Sequence, residues 1–522
     1  MNQRMVALAE TLIETKVRAT FGIPGSGPSL QLISALEQRE VPFHVTAHEG
    51  SAAMMAGAFG WKSGSLGCSI SIKGPGLANM LAGMTSNAFE HLPVLSISES
   101  YLPEATPIRM HKRLDHRQAT SWCAKAYAML GEPRSTIEQL TLYAREEIPG
   151  PVHLDISTND SPSILSRNLA EGEDNLPDEQ SNVMRLVSQA QRPVVIVGSL
   201  ACRCDWGKRL SALRIPVFTT LAAKGIFDET QPHAAGVFTG DGQQLSPEVR
   251  IISQSDLVIG LGLRSLEVLT PRPFRVPSVI VDNSGVRFSQ GFQPKHFWGT
   301  EGSKDFDTLL DEISLKTWGG ELVAESIQRL RKFLTHDPWL PAVVFAELEC
   351  LLPQVGCLVT DTGWFCTVAE HFWRARSAQA FFCSANGRFM GTAIPSAIGI
   401  ALANRHQVVI CAMGDGGIRP YVADVKLAIE ERLPILFLLF TDGRFGSIAG
   451  SPSAQELSPR ATTVRSPSWF QAITALGCPA FQVRSLETLS DLVKQWESSH
   501  GPLFIEALFD PERYAKMLEG VR

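Results

Sequence analysis

The stretch Cys411–Gly450, CAMGDGGIRPYVADVKLAIEERLPILFLLFTDGRFGSIAG, constrains this chain more than any other. Val408–Met413 is an apolar run long enough for one buried strand, and it ends in Gly414-Asp415-Gly416-Gly417. A helical pattern follows from about Tyr421 to Glu431 and is closed by Pro434. Ile435–Phe440 is a second continuous apolar run, ending at Thr441-Asp442-Gly443. Such runs belong to parallel strands covered on both faces. The unit is strand, turn, helix, strand, turn, with Asp415 and Asp442 at the carboxyl ends of its strands. In an open α/β sheet that rim is where ligands bind. Two carboxylates converging among glycines suit a hard cation such as magnesium, which takes oxygen ligands and shares phosphate oxygens with its ligand. Glycine also lets backbone N–H groups approach an anion closely. Gly-Asp-Gly alone fits a plain turn equally well. The second acid, on the next strand, favours a magnesium–diphosphate site.

With 522 residues the chain has room for about three domains. It is 44% hydrophobic and 19% charged, as expected of a soluble globular protein with ample core. The net charge of −6 and the lack of any Lys/Arg block argue against nucleic acid as a partner. The ten cysteines are scattered, mostly in apolar surroundings that suit reduced core thiols. Cys202-Arg203-Cys204 has no second pair with which to hold zinc. The N-terminal segment MNQRMVALAETLIETKV has apolar residues at helical spacing with charges between them, unlike a signal peptide. No run of 18 apolar residues occurs, so no membrane span is expected. The expectation is a cytoplasmic enzyme.

Strand and helix patterns alternate throughout, which predicts α/β architecture: three doubly wound parallel-sheet domains over 1–165, 180–330 and 340–522. In the first, a strand at Ala19–Ile23 leads into Pro24-Gly25-Ser26-Gly27, and Phe43–Thr46 delivers His48-Glu49-Gly50 to a small-residue helix, Ser51–Trp61. Cys68–Ile72 ends in Lys73-Gly74-Pro75-Gly76, and Gly150–Ile156 reads as the last strand. Glu49 at a helix start is favoured by the dipole and free N–H groups there, so on its own it also fits a capping acid. The middle region repeats the pattern, with Gly260-Leu261-Gly262 after a strand. In the third, Leu358–Thr360 runs into Asp361-Thr362-Gly363-Trp364. Phe381–Ser384 leads through Asn386-Gly387-Arg388-Phe389-Met390 to a second small-residue helix, Ile394–Ala403.

Gly414-Asp415-Gly416, with Asp442 after 25 further residues, resembles the thiamine-diphosphate motif of the superfamily that includes acetolactate synthase, benzoylformate decarboxylase and pyruvate decarboxylase. The likeness covers essentially the whole chain, in the order pyrimidine-binding, central and pyrophosphate-binding domain. It implies that Asp415, Asp442 and the carbonyl of Arg444 hold magnesium. This chain has Thr441-Asp442 where the superfamily usually has Asn-Asn or Asn-Asp, so an extra negative charge lies beside the diphosphate. The resemblance further implies that Gly363, Trp364, Ser384, Gly414, Gly416 and Gly417 surround the cofactor, with Phe445 at the mouth. Met390, 25 residues before Asp415, matches the apolar wedge between the cofactor rings, and the Arg388 carbonyl accepts from the aminopyrimidine. Glu49 matches the acid on the pyrimidine ring nitrogen, which favours the imino tautomer that takes the thiazolium proton. In this superfamily that acid meets the metal site across a subunit boundary, so a homodimer or homotetramer is expected. The central domain binds FAD in acetolactate synthase and is empty or binds other nucleotides elsewhere. Gly260-Leu261-Gly262 fits a plain strand–helix turn, so FAD stays uncertain.

Ser26 matches the carboxylate-binding serine of benzoylformate decarboxylase-like members. Lys73 stands where some decarboxylases carry His and synthases a small residue. It is able to bind an anionic group or act as an acid, and equally fits a surface lysine before a turn. His48, His111 and His116 are further candidates, and no His-His pair of the pyruvate decarboxylase type occurs. The expected activity is thiamine-diphosphate- and magnesium-dependent decarboxylation of a 2-oxo acid. The alternatives are an acetolactate-synthase-like carboligase and a non-catalytic nucleotide-binding homologue. A nicotinamide dehydrogenase would need a full glycine fingerprint after a first strand, which is missing.

Overall fold

Each apolar run read from the sequence becomes a strand in one of three sheets, of seven, six and six strands. The structure, a computed structural model, describes residues 2–101, 111–157, 164–168, 179–204, 206–264, 267, 274–282, 296–299, 303–450 and 458–522. Counted from the N-terminal strand of each sheet, the orders are 2-1-3-4-6-5-7, 3-2-1-4-5-6 and 2-1-3-4-6-5. The first and third sheets thus share one winding. All pairings are parallel except the last strand of the first sheet, Ile164–Arg167, which lies antiparallel to Ala126–Met129. From the apolar pattern, Gly150–Ile156 is the last strand expected in this sheet, and the structure adds one more. Ile164–Arg167 is a short, only partly buried edge strand and carries no continuous apolar run. The helix expected from Tyr421 is a 3-10 turn, Val422–Asp424, continuing into Val425–Glu430.

The winding decides where loops meet. A chain that goes from strand 1 outward to strand 2 and then crosses to strand 3 leaves a crevice between strands 1 and 3 at their carboxyl ends. In the third sheet those strands are Cys357–Thr360 and Val409–Gly414, so the loops beginning with Asp361 and Asp415 lie side by side. The next strand, Ile435–Thr441, brings Asp442 one place farther along the rim. In the first sheet the same crevice lies between Thr20–Ile23 and Gly67–Ser71, which puts the Ser26 and Lys73 loops together.

The first and third domains share a core. Phe21, Ala52 and Met55 pack in one cluster with Val359, Ile398 and Phe437. Its centre is the contact between two helices of small residues, Glu49–Ser63 and Ala393–Ala403. A Cβ at Gly399 would lie 2.3 Å from the Met55 carbonyl oxygen, so the helices touch backbone to backbone. Glu90 adds a polar clamp. Its buried carboxylate accepts from Ser384 Oγ at 2.7 Å and from the N–H groups of Ala385, Asn386 and Gly387 at 2.9, 3.1 and 2.9 Å. Burial nevertheless pushes its carboxyl up from the usual range.

A buried polar network supports the Lys73 loop. The Gly74 N–H donates to His116 Nε2 at 3.0 Å, so Nδ1 carries the ring proton and donates to Asp155 Oδ1 at 2.6 Å. The Tyr127 hydroxyl donates to Asp155 Oδ2 at 2.6 Å, and His153 Nε2 lies 3.2 Å from Oδ1. Burial would raise the Asp155 carboxyl, but the hydrogen bonds from both histidines outweigh it and hold the group well below the usual carboxylate range. A carboxylate depressed in this way stabilises the fold above its unfolded pKa and loses that contribution as pH falls towards the folded value. Asp155→Asn therefore lowers stability by about 2–4 kcal/mol at neutral pH. In chemical denaturation the gap from the parent narrows below about pH 4. A gap that stays constant to low pH would contradict this account.

Candidate active site

The third-sheet rim is built around Asp415. Its Oδ2 accepts from the N–H groups of Asp442 and Gly443, both at 3.0 Å, which ties the end of one strand to the loop after the next. Its Oδ1 is buried and has no partner. Burial, with the Asp442 charge beside it, pushes the Asp415 carboxyl up to about 7. The Asp442 carboxyl is also raised by burial, and its Oδ1 accepts from the Arg444 N–H at 3.3 Å. Two carboxylates on one rim, one with an unpaired buried oxygen, fit a divalent cation. Without one, an unsatisfied buried acceptor costs roughly 1–3 kcal/mol.

Glycines clear the space around this pair. A Cβ at Gly416 would fall 2.6 Å from Met390 Sδ and 2.7 Å from the Phe445 ring, so both side chains close over Gly416. At Gly417 it would meet the Asp361 carboxyl carbon at 2.6 Å, and at Gly414 the Phe365 ring at 3.0 Å. Asp361 holds the Met390 loop to the rim, accepting from Gly391 N at 2.9 Å and from Ala393 N at 3.2 Å. Burial raises its carboxyl to about 6. Met390 remains 45% exposed, unusual for a large apolar side chain at the centre of a converging set of loops. Arg388 takes a left-handed backbone (φ 49°) and its Nη1 lies 3.6 Å from the buried Glu370. Gly363, Trp364, Arg388 and Ser447 line a cavity of about 690 Å3 together with Lys516 and Arg522. Arg444 extends its guanidinium away to Glu512 at 3.0 Å. Ser384 is committed to Glu90 and to the Phe389 N–H.

The first-sheet rim has its own centre, Glu99, which is 1% exposed. It accepts from Ser29 Oγ at 2.6 Å, Gly27 N at 3.1 Å and Lys73 Nζ at 3.0 Å. A Cβ at Gly25 would stand 2.4 Å from Glu99 Oε1, so the Ser26 turn wraps the carboxylate. Ser26 itself is exposed. Lys73 is thus ion-paired with Glu99, and its Nζ lies 5.4 Å over the Tyr101 ring. Glu49 is the first residue of its helix and buried; His48 is the N-cap, its Nδ1 accepting from Gly50 N at 2.9 Å. Glu49 Oε2 accepts from Asn79 Nδ2 at 3.0 Å. Among the described residues no hydrogen bond or ion pair joins Glu49 to Asp415, Asp442 or Met390. His116 is buried in the Asp155 network, and His111 is exposed with its carbonyl accepting from the Tyr101 hydroxyl.

In the central sheet the crevice lies between strands 1 and 4, Pro193–Val197 and Leu257–Leu261. Glu267 lies at it, its carboxylate accepting from Ser199 N through both oxygens at 3.1 Å and from Thr220 Oγ1 at 3.1 Å. The buried Arg264 beside it is paired with Asp282 at 2.6 Å and Glu147 at 2.8 Å.

Sequence reasoning placed Asp415, Asp442, Met390 and the glycines at one rim, and the structure brings them together. It missed Glu99, Glu90 and Asn79, which sit at the ends or on the faces of ordinary elements. Asp361 carries a usable signal, since it follows an apolar strand with a glycine two residues on, much as Asp415 is followed by Gly416.

Three family models match the chain: the thiamine pyrophosphate enzyme N-terminal TPP binding domain over 5–120, the central domain over 181–294 and the C-terminal TPP binding domain over 361–507. The chain is 23% identical to the probable acetolactate synthase large subunit of Methanococcus aeolicus, over 98% of this chain and 93% of that protein. It is 24% identical to a probable 2-ketoarginine decarboxylase of Pseudomonas aeruginosa, over 96% and 93%. Identity to the acetolactate synthase of Bacillus subtilis is 20%, over 98% and 93%. With the three domain models matched in order along one chain, and the two acids converging on the rim of the third sheet, this protein belongs to the thiamine pyrophosphate enzyme family.

Proposed function

We propose that the protein is a thiamine-diphosphate- and magnesium-dependent lyase that decarboxylates a 2-oxo acid. The observation that carries this is the unpaired, buried Asp415 Oδ1 on a glycine-rich rim that also carries the Asp442 carboxylate. In this reading Asp415, Asp442 and the Arg444 carbonyl hold the metal. The backbone at Gly416 and Gly417, with Gly363, Trp364 and Gly414, would hold the diphosphate. Met390 and Phe445, already paired over Gly416, shape the bed for the rings, and the Arg388 carbonyl accepts from the aminopyrimidine. Ser384 acts indirectly, by bracing the Arg388–Met390 turn. Bound there, the cofactor would supply a carbon nucleophile for cleaving the bond next to a carbonyl.

Glu49 activates the cofactor from a second copy of the chain. Two apolar side chains left in solvent near the rim support this, Met390 at 45% and Ile448 at 58% exposure. The assembly is a homodimer or a homotetramer of such dimers. Ser26, presented by a turn that Glu99 holds rigid, binds the substrate carboxylate. Lys73, pinned by Glu99, orients the same anionic end. His48 serves mainly to cap the Glu49 helix.

A second reading, carboligation of the decarboxylated fragment to another carbonyl, is supported by the relatives named as acetolactate synthases. In the central domain Glu267 already takes the Ser199 N–H and the Thr220 hydroxyl in the crevice where a dinucleotide phosphate would lie, which favours an enzyme without FAD. No helix among the described residues is long and apolar enough to cross a membrane.

Calorimetry tests the metal site. Thiamine diphosphate binds only with a divalent cation, and Asp415→Ala removes that binding; unchanged binding in the variant sinks the assignment. Lys73→Met raises KM for a 2-oxo acid by roughly tenfold with little change in kcat, and an unaltered KM would release Lys73 from the substrate. The purified protein shows no flavin absorption band; a stoichiometric band would overturn the account of Glu267.

A further inference from the structure

Glu49 is held by a neighbour that no motif singles out. Asn79, on the Pro75–Phe89 helix, donates Nδ2–H to Glu49 Oε2 at 3.0 Å. The other oxygen, Oε1, lies beside Gly76, where a Cβ would stand only 3.4 Å from it. The two oxygens therefore have different surroundings: one is tied to an amide, and the other is next to a residue with no side chain. A carboxylate accepts through either oxygen, and the Asn79 bond removes that freedom.

The tie has a rigid base. Gly74, which caps the Asn79 helix, has φ +62° and its N–H is held by His116, itself fixed by Asp155. Farther along, Asn87 Nδ2 donates to the Ala53 carbonyl at 2.8 Å, and a Cβ at Gly83 would fall 2.2 Å from the Gly50 carbonyl oxygen. The Asn79 helix and the Glu49 helix are in backbone contact, so neither can shift without the other.

We infer that Asn79 is a positioning residue for Glu49: it fixes Oε2 and leaves Oε1 to the pyrimidine ring nitrogen. This rests on the role given to Glu49 above. Misplacing a reacting group by about an ångström costs on the order of a hundredfold.

The test measures exchange of the thiazolium proton of bound cofactor by quenched-flow NMR, alongside calorimetric affinity for magnesium–thiamine diphosphate. Asn79→Ala slows exchange by roughly tenfold to a hundredfold, with affinity held within about threefold of the parent. Asn79→Leu, close in size and without a donor, gives the same result if the alanine variant folds poorly. Because Asn79 acts through Glu49, adding Asn79→Ala to Glu49→Gln slows exchange no further. Parent-like exchange in both Asn79 variants would overturn the inference, and so would an equal slowing in the Glu49→Gln background, which marks a merely structural role. Parent-like exchange in Glu49→Gln alone would overturn the role of Glu49 itself, and the inference with it.

Discussion

A buried carboxylate oxygen without a partner is the constraint on which the rest of this molecule depends. Asp415 spends one oxygen stitching two strand ends together and leaves the other unsatisfied. Leaving such a group buried is costly, and under the proposed function a divalent cation would offset that cost. The surrounding loops pack closely around that position. Gly416 and Gly417 are glycines because a Cβ would strike Met390, Phe445 or Asp361. Asp361 in turn holds the loop that carries Met390 over the site.

The three sheets meet this demand with one topological device used in three ways. Each has a point where the winding reverses, and at each a carboxylate occupies the crevice. In the third sheet Asp415 keeps an oxygen free. In the first, Glu99 is satisfied by Ser29, Gly27 and Lys73, and so organises loops without holding a ligand of its own. In the central sheet Glu267 takes the N–H and hydroxyl donors that a phosphate would need. The same position carries an acid with a free oxygen, a loop organiser or a donor-saturated acid according to how many partners the chain itself supplies.

Much of the fold was legible because buried parallel strands are written as continuous apolar runs; Ile435–Phe440 is an example and lies in the structure within Ile435–Thr441. The Asp415–Asp442 pair was legible because both acids directly follow such runs. Ile164–Arg167 was not, since a half-exposed edge strand has no run to read. Glu99 and Glu90 were not legible for a different reason. Their partners lie 70 and 294 residues away along the chain, at Ser29 and Ser384, and local pattern has no access to such contacts. Asn79 falls in the same class: its amide is unremarkable on a helix until the fold lays that helix against Glu49.

The central claim is that one chain's Glu49 serves the Asp415 pocket of another. Mixing Glu49→Gln protein with Asp415→Ala protein under conditions that exchange subunits tests it directly. Each hybrid dimer would then contain one site with Glu49 and Asp415 both intact, and rapid thiazolium proton exchange would return although neither parent variant has it. If the mixture stays as slow as its components while mass measurement shows that hybrids have formed, the two residues do not meet across subunits and the account is wrong.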